Sequence, residues 1–279
     1  MSGRPVEFGV CCLALALVWR AGLVLLDART IRRGYPRAGA YRPGRGWTGP
    51  AALAVERRRA VPGLVLGALL PFAALLPTVR GAAAATSVCC AAAAWPARGD
   101  RRLRQARYTT VCLLVLTAVL ALHGVLVLLR VPASSAVTGS AASFFAAQLY
   151  LVAGVRKLTS RHFMSGRVLL DNAAYNACQA AAGSHEFLPL PSVPRLAVLL
   201  SGPVLPALCR ASAVLAVAGE LALGIGALGV IPAFPTVALA GCVHLAFTLI
   251  SPRRIVPFSA VAFGLLVIAV SHPLLQPLR

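Results

Sequence analysis

The chain has 279 residues, of which 59% are hydrophobic and only 12% charged, with a mean hydropathy of +0.81. This composition excludes an ordinary soluble domain, because its apolar runs are long enough to cross a bilayer. The 27 basic residues outnumber the 7 acidic ones and give a formal net charge of +20, which in a soluble protein would suggest nucleic-acid binding. Here the arginines cluster between apolar runs, which favours membrane topology and anionic lipid instead.

The apolar runs predict an all-α, polytopic integral membrane bundle with seven or eight spans in a single domain, residues 1–279. Residues 1–139 would hold N-terminal helices with arginine-rich loops. Most runs approach the roughly 20 residues needed to cross hydrocarbon, although the third is short. The candidate spans are Phe8–Leu26, Val61–Val79, Gly81–Trp95, Val111–Leu129, Ala141–Val155, Ala211–Ile231, Phe234–Ile250 and Ile255–Ser271.

Two segments between these runs are not among the candidate membrane spans. Thr159–Pro194 is polar, and it is predicted to begin as a short interfacial helix and to end as a loop. Leu196–Cys209 is short and interrupted by Pro203 and Pro206. It is predicted to be an interfacial or re-entrant piece, or else the first half of a kinked helix.

Arginine placement predicts the orientation in the membrane. Most arginines lie in four connecting regions: residues 28–60, 98–107, 159–195 and 253–254. With eight spans and an outside N-terminus, all four regions fall on one face, which the positive-inside rule makes cytoplasmic. The predicted location is therefore a bacterial-type cell membrane, with the lipid bilayer as partner and no nucleic acid.

Metal and disulfide chemistry are not predicted. The 8 cysteines form no C-x-x-C pair, and most lie inside apolar runs as small hydrophobic residues. No second ligand stands at helical spacing beside any histidine. Arg20 and His123 fall within spans and are only weak candidates for a site.

Four residues are the candidate site: Lys157, Arg156, Glu220 and His244. A Lys or Arg at mid-bilayer costs roughly 2.5–3.5 kcal/mol, so membrane proteins keep such residues for anchoring or for chemistry. Lys157 is the only lysine of the chain, and a partly desolvated lysine can release its proton whereas arginine cannot. The alternatives are snorkelling anchors, a structural carboxyl group and a satisfied core histidine. Lys157, Glu220 and His244 would share one cavity if their helices pack together.

The run Leu149–Leu158, followed by Phe163 and Gly166, resembles the signature of the horizontally transferred transmembrane (HTTM) family. This family includes the membrane half of vitamin K-dependent gamma-carboxylases. A second block of residues also matches the family signature, in the expected order along the chain. This block runs from Glu220 through His244-Leu245-Ala246-Phe247 to Pro257–Phe263 and Ser271-His272-Pro273. The resemblance as a whole covers roughly residues 140–275.

This resemblance implies a reduced quinone, similar to vitamin K, as cofactor or substrate. Lys157 would be the base that deprotonates it, and His244 would line the same cavity. A competing resemblance is to the DoxX and methylamine-utilisation membrane proteins, four-helix proteins tied to redox or disulfide maturation. These carry an Ala-Gly-x-x-Lys-Leu element, here residues 153–158, and a Glu-Leu-x-x-Gly helix, here residues 220–224.

Three functions are expected from these observations. The first is a small membrane enzyme that handles a quinol-like lipid or a peptide, with Lys157 as base and Arg156, His244 and Glu220 shaping the cavity. Its carboxylase-like lyase or oxidoreductase chemistry is implied by the resemblance alone. The second is a non-enzymatic membrane partner, such as a scaffold, an immunity factor or an accessory subunit. Transport is a third and weaker expectation.

Overall fold

A computed structural model describes residues 4–32, 49–98, 106–181, 192–250 and 253–275. These residues are 88% helical and include no strand, so the predicted all-α class is confirmed for the described part of the chain. The predicted loops that fall on residues 33–48, 99–105 and 182–191 lie outside the described residues.

The described residues form eleven α-helices and one 3-10 turn, Arg253–Ile255. In chain order the helices are α1 Arg4–Arg32, α2 Gly49–Ala74, α3 Val79–Ala97, α4 Ala106–Leu128, α5 Ser134–Leu158, α6 Arg161–Met164, α7 Arg167–Ala181, α8 Val193–Leu200, α9 Val204–Ala227, α10 Ala233–Ile250 and α11 Val256–Ser271.

Four of the described helices are long and apolar enough to cross a membrane: α1, α4, α5 and α9. Helices α10 and α11 contain shorter apolar stretches, Ala233–Leu249 and Val256–Ser271. At a rise of about 1.5 Å per residue, such a stretch measures roughly 24–26 Å, slightly less than a hydrocarbon layer of about 30 Å. The predicted count of seven or eight spans stays a prediction.

The two segments between the predicted spans contain more helix than the sequence indicated. Helix α7 extends the expected short interfacial helix to 15 residues, in keeping with its alanine-rich second half. The segment Leu196–Cys209 belongs to two helices, because α8 ends at Leu200 and α9 begins at Val204 with Pro203 as its N-cap. Pro206 then lies in the first turn of α9, where a missing N–H removes no helical hydrogen bond.

The chain divides into two compact units, the first of which comprises Met1–Ala142 and Val256–His272. Its helices α1 and α11 approach closely at small residues. A Cβ atom placed on Gly264 would lie 2.7 Å from the Cβ of Cys12. Next to this contact, the rings of Phe8 and Phe263 meet edge to face, with centroids 5.6 Å apart. Such small residues allow helix backbones to pack without a hydrophobic driving force from water.

The second unit comprises Ser143–Ile255 and Pro273–Arg279. In it, α9 runs antiparallel to the second part of α5, with glycines at the contact. A Cβ atom on Gly154 would lie 2.8 Å from Leu221, and one on Gly224 would lie 2.6 Å from Leu151. Gly154 and Gly224 are therefore positions at which the two helices pack closely. The predicted single domain, with residues 140–275 as its HTTM-like part, stays a prediction.

Candidate functional site

An ion pair joins two of the four helices that could cross a membrane. Lys157 lies in the last turn of α5, and Glu220 lies within α9. Because the two helices are antiparallel and in close contact at Gly154, Lys157 reaches across and its Nζ donates a hydrogen bond to Oε1 of Glu220. The Lys157 side chain is 27% exposed and that of Glu220 only 5%. The carboxylate is therefore buried, whereas the ammonium group lies at the edge of the site.

Two aromatic rings also contact this ammonium group. The Nζ of Lys157 lies 5.3 Å from the ring centroid of Phe163 in α6 and 5.0 Å from that of Phe247 in α10. Both distances fall within the roughly 6 Å over which a cation is attracted to the face of an aromatic ring. The carboxylate and both rings stabilise a positive charge on Lys157.

The second carboxylate oxygen of Glu220 has a different environment. Among the described residues, Oε2 of Glu220 is buried and accepts no hydrogen bond. A buried polar atom without a partner costs about 1–3 kcal/mol, and more when it is charged. Such an atom in a native fold calls for an explanation, and one explanation is a donor that binds there.

A second polar pair lies deeper in the same unit. The hydroxyl group of Tyr150 and Nε2 of His244 are 2.6 Å apart, and both residues are buried. The ring of Phe247 contacts His244 edge to face, with centroids 6.2 Å apart. Phe247 therefore contacts both the Lys157 ammonium group and the His244 ring.

The polar residues of α5 follow a seven-residue spacing. Ser143, Tyr150 and Lys157 lie on one face of the helix, about 10 Å apart along its axis. Ser143 Oγ donates to the carbonyl oxygen of Ala227 at 2.6 Å and accepts a hydrogen bond from the amide of Leu274 at 3.2 Å. Sequence reasoning missed Tyr150 as a site residue, although this spacing was the signal that could have identified it.

The structure brings the predicted site residues together to different degrees. Lys157 and Glu220 are in direct contact, and His244 lies beyond the ring of Phe247. Arg156 is exposed on α5. The role of Arg156 in shaping the cavity stays a prediction. The cavity shared by Lys157, Glu220 and His244 also stays a prediction.

The two weaker candidates have partners within the first unit. Arg20 donates from Nη1 to the carbonyl oxygen of Ala97 at 2.8 Å, which satisfies a carbonyl at the end of α3. The Nδ1 atom of His123 lies 3.1 Å from Oγ1 of Thr138, a polar partner that the sequence did not indicate. Both contacts are consistent with structural roles.

These features define a class: the described part of the chain is all-helical, with four helices suited to crossing a membrane, and an ion pair joins two of these helices. In comparisons with known proteins, no family model, no curated protein and no solved structure matches the chain. The likeness to the HTTM family therefore stays a resemblance.

Proposed function

We propose that this chain is a multi-pass protein of the cell membrane whose second unit carries an acid–base site for a quinol-like lipid or a peptide. The observation that carries the proposal is the Lys157–Glu220 pair between two apolar helices. Ionisable residues within membrane segments are rare, costly and usually functional. Paired, these two groups form a unit without net charge that can accept a proton and return it.

The residues at the site fit a quinol. A quinol would supply an ionisable hydroxyl group, for which Oε2 of Glu220 is a buried acceptor with no hydrogen-bond partner in the described part of the chain. The ring of Phe247 offers a flat apolar surface between the ion pair and His244. In the role that the resemblance implies, Lys157 would be the base. It can act so only after its own proton has moved to Glu220, because an ammonium group has no lone pair.

The site predicts that quinol binding depends on Lys157. The probe is menadiol, kept reduced under anaerobic conditions, and its binding to the full-length protein in lipid nanodiscs is measured by equilibrium dialysis. A hydrogen bond to a charged group is worth about 1.5–3 kcal/mol, so Lys157→Ala should weaken binding roughly 10- to 100-fold. The matched control is Arg161→Ala, which removes an exposed cation nearby. Wild-type protein that binds no menadiol, or a Lys157→Ala variant with unchanged affinity, would refute the proposal.

The orientation in the membrane follows from arginine placement. With eight spans and an outside N-terminus, the arginine-rich loops and the Lys157 end of α5 lie on the cytoplasmic side. Trypsin cleaves after arginine, so it should cut these loops in inverted membrane vesicles but not in right-side-out vesicles. Cleavage of the same loops in right-side-out vesicles would show that the protein has the opposite orientation.

A second candidate function is that of a non-enzymatic membrane partner, including a DoxX-like accessory protein of redox maturation. The observation in its favour is that Glu220, Phe163 and Phe247 already surround the Lys157 ammonium group, as they would in a purely structural ion pair. In that case only the positive charge matters. Lys157→Arg should then accumulate and co-purify with the partner as the wild type does, and menadiol should not bind to either protein.

A further inference from the structure

We infer that Glu220, and not Lys157, is the proton acceptor of the proposed acid–base site, and that Lys157 stabilises the anion left on the substrate. This inference rests on the proposed function and assigns the direction of proton transfer within it. It also narrows the substrate to an aromatic hydroxyl compound, a phenol or quinol.

The surroundings of Lys157 favour its charged form. Its ammonium group donates to Oε1 of Glu220 and lies near the faces of two rings, those of Phe163 and Phe247. All three contacts are stronger for an ammonium ion than for a neutral amine. A charged ammonium group is only a donor and cannot take a proton from a substrate.

The free acceptor at this site belongs to Glu220. Lys157 contacts Oε1, and Oε2 is buried without a hydrogen bond among the described residues. The ion pair holds the carboxylate in one orientation, so Oε2 needs no rearrangement to accept a donor. Preorganised groups of this kind contribute to catalysis because no reorganisation is required when the charge moves.

The step is a proton transfer that conserves charge. The substrate O–H bond breaks, a new O–H bond forms on Oε2 of Glu220, and the electron pair of the broken bond stays on the substrate oxygen. The site holds one negative and one positive charge before and after, since Lys157 remains an ammonium ion beside the new anion. No oxidant or reductant takes part.

The opposite assignment is less favourable beside a carboxylate that is almost fully buried. If Lys157 were the acceptor, the pair would first have to be neutral, with the ammonium proton on Glu220. Transfer from the substrate would then create two charges where none existed, and new charges in a low-dielectric region are costly. Transfer to Glu220 only moves a negative charge from one oxygen to another.

The contacts of Phe247 favour an aromatic substrate. Its ring lies near both the Lys157 ammonium group and the His244 ring. An aromatic substrate whose hydroxyl group reached Oε2 of Glu220 would leave its developing anion near Lys157, which holds the other oxygen of the same carboxylate. A phenol or quinol meets both requirements because its conjugate oxyanion is delocalised over the ring.

The test uses 4-nitrophenol, which absorbs at longer wavelength when ionised. The full-length protein in nanodiscs is titrated with it at a pH where the free probe is mostly protonated, and the phenolate band is recorded. The wild type should show this band. Glu220→Gln should lose it, and Lys157→Arg should keep it, because arginine retains the charge but cannot serve as a base. The matched control Glu7→Gln, at an exposed glutamate of α1, should keep it.

Infrared difference spectra provide an independent measurement. The carbonyl band of a protonated carboxylic acid should appear when the probe binds to the wild type and to Lys157→Arg, but not to Glu220→Gln. Glu220→Asp keeps a carboxylate and should retain the phenolate band, which separates loss of the acceptor from loss of the fold.

The failures of the inference and of the proposed function differ. If Lys157→Arg loses the phenolate band while Glu220→Gln keeps it, Lys157 is the acceptor and the inference is wrong, although the acid–base function stands. If the wild type ionises no probe, the proposed function fails and the inference fails with it.

Discussion

Removing Lys157 should destabilise the second unit, because it leaves a buried carboxylate without a counter-charge. Glu220 is only 5% exposed, whereas Lys157 is 27% exposed. Breaking a buried ion pair by deleting one partner costs about 3–5 kcal/mol. Since water reaches part of the ammonium group, the lower end of this range applies, and we expect about 3 kcal/mol for Lys157→Met.

A double variant isolates the free energy of the interaction between Lys157 and Glu220 from the effects of their other contacts. With Glu220→Met added, no orphaned charge remains, and replacing a buried pair by apolar residues of similar volume is often neutral or stabilising. The double variant should therefore regain most of the stability lost in Lys157→Met. The double-mutant cycle should give a coupling free energy of about 2–3 kcal/mol, the upper part of the range for residues in contact.

The chain contains a matched control pair for this cycle. Arg167 and Asp171 stand at i and i+4 on α7, with a nitrogen–oxygen distance of 4.0 Å and exposures of 71% and 72%. Exposed helical pairs of this kind contribute about 0.3–0.5 kcal/mol. Both cycles are measured by reversible unfolding in bicelles. A Lys157–Glu220 coupling as small as that of the control pair would contradict the assignment of a buried, functional ion pair.

Two further predictions concern the packing of the second unit. Tyr150→Phe removes the hydroxyl partner of buried His244, 2.6 Å from Nε2, and should lower the free energy of unfolding by about 1–3 kcal/mol. An unchanged free energy of unfolding would contradict this hydrogen bond. Gly224→Ala places a Cβ atom 2.6 Å from Leu151 and should cost about 1–3 kcal/mol by overpacking. Gly241→Ala is the control, because an added Cβ atom there meets no other packed group of the described residues within 4 Å, and it should be neutral or stabilising by up to about 1 kcal/mol. Equal effects of the two glycine variants in the same unfolding assay would refute the close contact of α5 and α9.

The amino-acid sequence by itself determined the helical class and the residues worth suspecting. Apolar runs of about 20 residues predict helices, in which the backbone satisfies its own hydrogen bonds within each segment. Lys157 stood out as the only lysine, and Glu220 and His244 stood out as ionisable groups among apolar neighbours. These are local properties, and they can be read without knowing how the chain folds.

Only the tertiary structure decided which of these residues meet. Lys157 and Glu220 are 63 positions apart, and Tyr150 and His244 are 94 apart. Phe247 was noted only as part of the His244–Phe247 block, and nothing in the sequence indicated that its ring lies beside the Lys157 ammonium group. Which helices are neighbours, and how each is rotated about its axis, depends on packing at glycines such as Gly154. Helical periodicity within one segment carries no information about the facing segment, so partners across helices could not be predicted.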